Sequence, residues 1–300
     1  MSGAAAAGSV RTLAGASPTR LALRRFLSNR LAAAAALVVL AFAVMAALAP
    51  LIAPQDPYDS DLLRRLQPPA WMEGGEAAFL LGCDALGRDI LSRMIYGARV
   101  SILIGVIVVA LATALGAALG LAAGYLRGIV DAAVSRVVDV LLGFPYLIFA
   151  IALMAMAGPG LRNVVLALVL KEWVIPCRVV RGETLSLRET EYVAAARAIG
   201  ASRTYIMAGE ILPNVLSPLV VVATLRVAHI IILEASLSFL GLGVQPPTAS
   251  WGSMVADGRA FMLDAWWVST FPGLAILLLV LAINVAGQGL RDAFDPKVND

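Results

Sequence analysis

Charge is what this sequence has least of. Only 14% of its 300 residues are Asp, Glu, Lys or Arg, against about 25% in a soluble domain, while 60% are hydrophobic; the composition suits a bilayer. Histidine occurs once, at His229, and the two cysteines, Cys83 and Cys177, fall at different expected depths. Neither a structural disulfide nor a metal cluster is therefore expected. The net charge of +3 comes mainly from arginine and is not gathered into a basic stripe, so nucleic acid is not an expected partner. Also lacking are a G-x-x-x-x-G-K-[ST] phosphate loop, an H-E-x-x-H pair and a G-x-S-x-G elbow. The glycines at 239–243 are too closely spaced and too apolar in context for a dinucleotide fingerprint. The chain is not expected to be an enzyme or to hold a cofactor of its own.

Long apolar runs are what it has. A membrane-crossing helix needs about 20 mostly apolar residues. Runs at 31–53, 100–125, 137–157, 163–180, 215–240 and 267–290 qualify, the fourth interrupted by Lys171 and Glu172. The expected fold is all-α and polytopic, with about six spans. Arg11, Arg20, Arg24, Arg25 and Arg30 precede the first run with no acid among them, which places the N-terminus in the cytoplasm. Six crossings bring the C-terminus back to that side, with Arg127, Arg136, Arg178, Arg181, Arg188, Arg197 and Arg203 in the cytoplasmic linkers. The first run is too long for a signal-peptide core and reads as an uncleaved anchor.

Between the fourth and fifth runs lies EYVAAARAIGASRTYIMAGEILPN, from Glu191 to Asn214. Ser186 and Glu189 have capping-box spacing, and Tyr192, Ala195, Ala196 and Ile199 recur on one helical face. Gly200 is suited to ending that helix, Ser202 to capping the next, and Pro213 to breaking the chain before the fifth run. The expectation is two short helices on the cytoplasmic side with a narrow small-residue face, fit for a groove on another protein. The alternative, a helix lying on the membrane surface, ordinarily carries larger apolar residues.

Gly116, Gly120 and Gly124 form a GxxxGxxxG series, which either marks close helix packing or arises by chance in an Ala/Gly-rich run. Arg226, His229 and Glu234 fall inside the fifth run, where they either line a translocation pathway or lock span packing. Lys171 and Glu172 read as a neutralising pair or as the cytoplasmic approach of the fourth run. Outside, Asp89 and Arg93 stand at i,i+4 on a helix, and Trp266 and Trp267 read as interface anchors.

The 191–214 segment resembles the EAA loop of ATP-binding-cassette importer permeases: Ala194, Ala195 and Ala196 occupy the E-A-A positions, with Gly200, Leu212 and Pro213 at the expected spacing. LGCDALGRDILSRMIYGARVSI from Leu81, EASLSFLGLGVQPPTASWGSM from Glu234, FPGLAI from Phe271 and GLRDAFDPK from Gly289 are similar to the C-type permease of dipeptide and oligopeptide importers. Ala194, Gly209, Glu210 and Cys83 depart from that family's usual residues. The resemblance implies a type I importer permease in a bacterial inner membrane, forming half of a pathway for peptides or a similar small solute. It implies a second homologous permease, cytoplasmic ATPase subunits that bind ATP and Mg, and an extracytoplasmic substrate-binding protein. Tyr192, Ala195, Ala196, Ile199, Gly200, Ala201, Ile206, Leu212 and Pro213 would couple to the ATPase. The chain divides into an N-terminal cytoplasmic segment (1–30), a first transmembrane helix (31–53), an extracytoplasmic loop (54–99), a five-helix core (100–290) with coupling loop 182–213, and a cytoplasmic tail (291–300). The competing reading is an ion-gradient-driven secondary transporter.

Overall fold

The computed structural model describes residues 18–294, so Arg11 and the end of the tail lie outside the described residues. Every regular element in that range is helical. Helix α1 (Pro18–Ser28) leads into α2 (Arg30–Ala47), which starts where the Asn29 side chain accepts the Ala32 amide at 3.1 Å. After a loop comes α3 (Ile90–Leu126), capped by Asp89. Its 37 residues make a rod about 56 Å long, well beyond the about 30 Å hydrocarbon core, so the helix expected at Asp89 and the second span are one continuous element that projects from the membrane.

The middle of the chain departs from six simple spans. The third run is two helices, α4 (Gly128–Gly143) and α5 (Tyr146–Ala157), bent by 93° at Phe144 and Pro145. Proline lacks the amide that would continue the ladder and disfavours helix at the residue before it. The fourth run is likewise two pieces, α6 (Leu161–Glu172) and α7 (Val174–Leu187), joined at Trp173. Among the described residues, four helical stretches are long and apolar enough to cross a membrane, Arg30–Ala47, Ile90–Leu126, Arg203–Phe239 and Trp267–Phe294; the bent pair makes a fifth if it counts as one span. The run at 163–180 does not qualify, because its polar centre and its break divide it.

Helices α8 (Glu191–Ala198), α9 (Leu212–Phe239), α10 (Trp251–Gly258) and α11 (Trp267–Phe294) complete the fold. The glycine series on α3 is a packing surface. A methyl group on Gly116 would lie 2.5 Å from the Trp173 carbonyl oxygen, and one on Gly120 2.5 Å from that of Cys177. Only hydrogen fits there, so α3 and α7 touch backbone to backbone. At the end of the bundle that carries the 54–89 loop, Trp251 is fully buried, donates Nε1 to the Met94 carbonyl at 2.9 Å and meets the Phe42 ring edge-on. Trp267 is also buried and donates to the Cys83 carbonyl at 3.4 Å, so it is a core anchor; Trp266 alone of the neighbouring pair reaches the surface. In the same loop Arg93 pairs with Asp84 at 3.3 Å, not with Asp89, whose carboxylate caps α3 by accepting the Ser92 amide at 2.8 Å and the Ser92 hydroxyl at 2.6 Å. Burial raises the Asp89 carboxyl above its ordinary range, against those hydrogen bonds. Leu37, Leu40, Leu111, Leu277 and Leu281 are exposed on the outer faces of α2, α3 and α11, as lipid-facing positions require.

Candidate coupling segment and intramembrane polar network

The 191–214 segment folds as a seated bracket. Helix α7 continues to Leu187, which puts Ser186 inside a helix end and rules out the Ser186–Glu189 capping box. Thr190 is the N-cap of α8 by backbone conformation, without a side-chain cap bond, and its hydroxyl instead donates back to the Leu187 carbonyl. Gly200 closes α8 at φ +83, with the Ala201 amide donating to the Ala196 carbonyl at 3.1 Å. The Ser202 hydroxyl then accepts the Tyr205 amide at 3.2 Å and starts a turn, Arg203–Tyr205.

The turn enters a π-helical stretch, Ile206–Ile211, ahead of Pro213. Proline cannot donate to a carbonyl one turn back, and the widened stretch accommodates that gap. Asn214 fixes the exit, its Nδ2 donating to the Glu210 carbonyl at 2.7 Å and reaching the Tyr192 hydroxyl at 3.4 Å.

The bracket shares a core with the bundle. Val193, Ala196, Ile206, Ile211 and Val215 pack with Tyr125 of α3 and Val180 of α7. Ala196 and Ile206 are therefore buried, and Ala201 and Leu212 are half-buried. Tyr192, Ala195, Gly200 and Pro213 face solvent, and Ile199 is 86% exposed although it is a large aliphatic residue. The sequence missed Val193 because the inward face depends on where α3 and α7 lie, which the local periodicity does not encode.

Inside the bundle Arg226, Glu172, Lys171 and Glu234 each have a polar partner. Arg226 grips Glu172 with two parallel hydrogen bonds, one of them Nη2 to Oε2 at 2.8 Å, and Glu172 is 1% exposed. Glu172 thus pairs across helices and not with its neighbour Lys171, which corrects the reading of the two as a neutralising pair. Lys171 donates to the Phe144 carbonyl, at the α4–α5 break, and lies over the Tyr146 and Phe149 rings. Tyr146 donates its hydroxyl to the Leu168 carbonyl at 3.0 Å and presents its ring to His229, 5.5 Å between centroids. Glu234 belongs to a separate site: wholly buried, it accepts the Ser101 hydroxyl at 2.9 Å and the Ser238 hydroxyl at 2.8 Å, tying α9 to α3. The structure brings Arg226 and His229 to one place, around Glu172 and Tyr146, and leaves Glu234 apart. The sequence sets Glu172 beside Lys171 and does not point to Ser101; the clue to the Arg226 pairing is that a membrane-embedded arginine needs a carboxylate.

Comparisons with known proteins follow the same outline. A family described as "Binding-protein-dependent transport system inner membrane component" matches residues 115–300, and one described as "N-terminal TM domain of oligopeptide transport permease C" matches residues 17–69. The chain is 43% identical to the "Di/tripeptide transport system permease protein DppC" of Pseudomonas aeruginosa (strain UCBPP-PA14), over 95% of this chain and 94% of that protein. It is 51% identical to the "Dipeptide transport system permease protein DppC" of Escherichia coli (strain K12), over 82% of each. Among solved structures it resembles a chain of the inward-facing MetNI methionine ABC transporter, with a TM-score of 0.55 and 20% identity over 67% of this chain and 95% of that one.

Proposed function

The chain belongs to the binding-protein-dependent transport system inner membrane components, and from that membership we propose that it is the permease subunit of an ATP-driven importer for dipeptides or oligopeptides. The 191–214 bracket carries this reading. It is a short helix locked to the bundle on one side, with Tyr192, Ala195 and Ile199 exposed on the other, as a lever must be if an external motor is to move the membrane part. Tyr192, Ala195, Ile199 and Gly200 form the gripping surface, while Ala196, Ile206, Leu212 and the π-helical stretch transmit the push into α9.

ATP and Mg would be held by a separate ATPase, which supplies the free energy of nucleotide hydrolysis. A second homologous permease completes the pathway, and an extracytoplasmic binding protein delivers the peptide. The chain is a multi-pass membrane protein; in this proposal both termini and the bracket are cytoplasmic and the 54–89 loop is extracytoplasmic. The division into an N-terminal segment, a first helix, an outer loop, a core and a tail is kept, with the outer loop ending at Asp89, where α3 begins. The Arg226–Glu172 and Glu234–Ser101 contacts support a packing role for the intramembrane charges. That engagement favours the ATP-driven reading over an ion-driven carrier, whose relay would need these groups to exchange protons.

Ile199→Asp tests the reading without threatening the fold, since the side chain is exposed. Co-purification of the ATPase and ATP-dependent peptide uptake are expected to fall at least about tenfold, the cost of burying an unpaired charge in an apolar contact. Uptake at wild-type rate with the ATPase still bound would refute it.

A further inference from the structure

Beside the bracket, where α3 ends, is a pocket of about 450 Å³ lined by Arg127, Arg188, Arg197 and Arg203 together with Tyr125 and Leu126. Glu189 is the one carboxylate in ion-pair range of any of the four among the described residues, 3.4 Å from Arg127 and 3.3 Å from Arg188. Arg197 and Arg203 have no acidic partner among the described residues, so the pocket carries an uncompensated positive charge.

Arg188 and Arg197 are held against Tyr125. Arg188 donates Nη1 to the Tyr125 carbonyl at 2.6 Å, and Arg188 and Arg197 lie over the Tyr125 ring at 5.9 and 6.0 Å. Arg127 has φ +58 and ψ −160, a conformation that costs a non-glycine residue free energy and persists only where the surroundings enforce it. It turns the chain so that the Arg127 side chain joins the other three.

The surroundings indicate where the anion comes from. In the orientation proposed above, the pocket lies at the cytoplasmic end of α3's apolar run, where a spanning helix reaches the headgroup layer. Leu126 forms part of its wall, and Ile129, two residues beyond Arg127 and 89% exposed, adds apolar surface of the kind acyl chains cover. We propose that this pocket binds the phosphodiester headgroup of an anionic phospholipid, with Arg127, Arg188, Arg197 and Arg203 as the phosphate ligands. Guanidinium forks suit phosphate oxygens, and basic pockets at this depth select anionic headgroups. A lipid seated there touches both the end of α3 and, through Arg197 and Ala201, the bracket, so headgroup charge would bias the bracket's position.

Native mass spectrometry of the full chain in detergent, titrated with phosphatidylglycerol or phosphatidylcholine, tests this. Arg197→Gln combined with Arg203→Gln removes two exposed ligands that make no hydrogen bond within the described fold; Arg259→Gln, at the opposite end, is the control. The double variant is expected to lose phosphatidylglycerol affinity by about tenfold or more, with phosphatidylcholine binding unchanged and the control like wild type. Equal unfolding temperatures for wild type and double variant would exclude a folding defect. Unchanged phosphatidylglycerol binding, or an equal fall for both lipids, would overturn the proposal. Displacement of phosphatidylglycerol by inorganic phosphate at equal concentration would overturn the lipid assignment and leave a free-anion site.

Discussion

Two residues show how a single side chain sets the behaviour of its surroundings. Glu172 is buried and answers Arg226, so neutralising it strands a guanidinium inside the bundle. Glu172→Gln is expected to cost about 3 kcal/mol, while the double replacement of Glu172 and Arg226 by methionine costs less than either single change, because it removes both charges. Thermal unfolding of the purified chain in detergent reads the difference; a double variant no more stable than the single ones would contradict the pair. Gly200 acts through its backbone alone: its φ is +83, yet a methyl group there would meet nothing within 4 Å. Gly200→Val is therefore expected to distort the bracket and cut ATP-driven uptake severely, whereas Gly200→Asn, which tolerates that conformation, keeps more of it. Equal uptake by the two variants would show that backbone conformation is not the cause.

At the scale of elements, the bundle depends on α3 and α7 meeting without side chains between them. Gly120→Leu drives a side chain against the Cys177 carbonyl and is expected to lower the unfolding temperature, by overpacking worth about 1–3 kcal/mol or more. Gly143→Ala, at the end of α4 with open space around it, is expected to leave stability unchanged or slightly raised. Stability measured on both variants separates a packing surface from accidental spacing. Four of the expected spans were legible because apolar length reports membrane crossing directly, as in α2, α3, α9 and α11. The runs at 137–157 and 163–180 are each divided, the first by the 93° bend at Phe144 and Pro145 and the second at Trp173, and hydropathy, which sums residues without regard to direction, does not mark either break. Pro145 was the visible signal there. In the bracket, Gly200 and Ser202 could be read because turn chemistry is local. The Val193 core and the Arg226–Glu172 bridge could not, because each joins elements far apart in sequence.

For the whole molecule, the outer leucines of α2, α3 and α11 call for lipid or a second permease, and the 54–89 loop with α10 makes a folded cap at one end. The bracket lies at the opposite end of α3 from that cap, and the account requires it to face the cytosol, where nucleotide is. Cysteine labelling of Ile199→Cys measures this with little background. Cys83 and Cys177 are both buried, and burial, with Asp89 nearby, pushes the Cys83 thiol up to about 12. In intact cells a membrane-impermeant maleimide is expected to leave Ile199→Cys unlabelled. In inside-out vesicles it should react fast, and adding the ATPase subunits with nucleotide should protect it. Rapid labelling from outside intact cells, or no protection by the ATPase, would contradict the account.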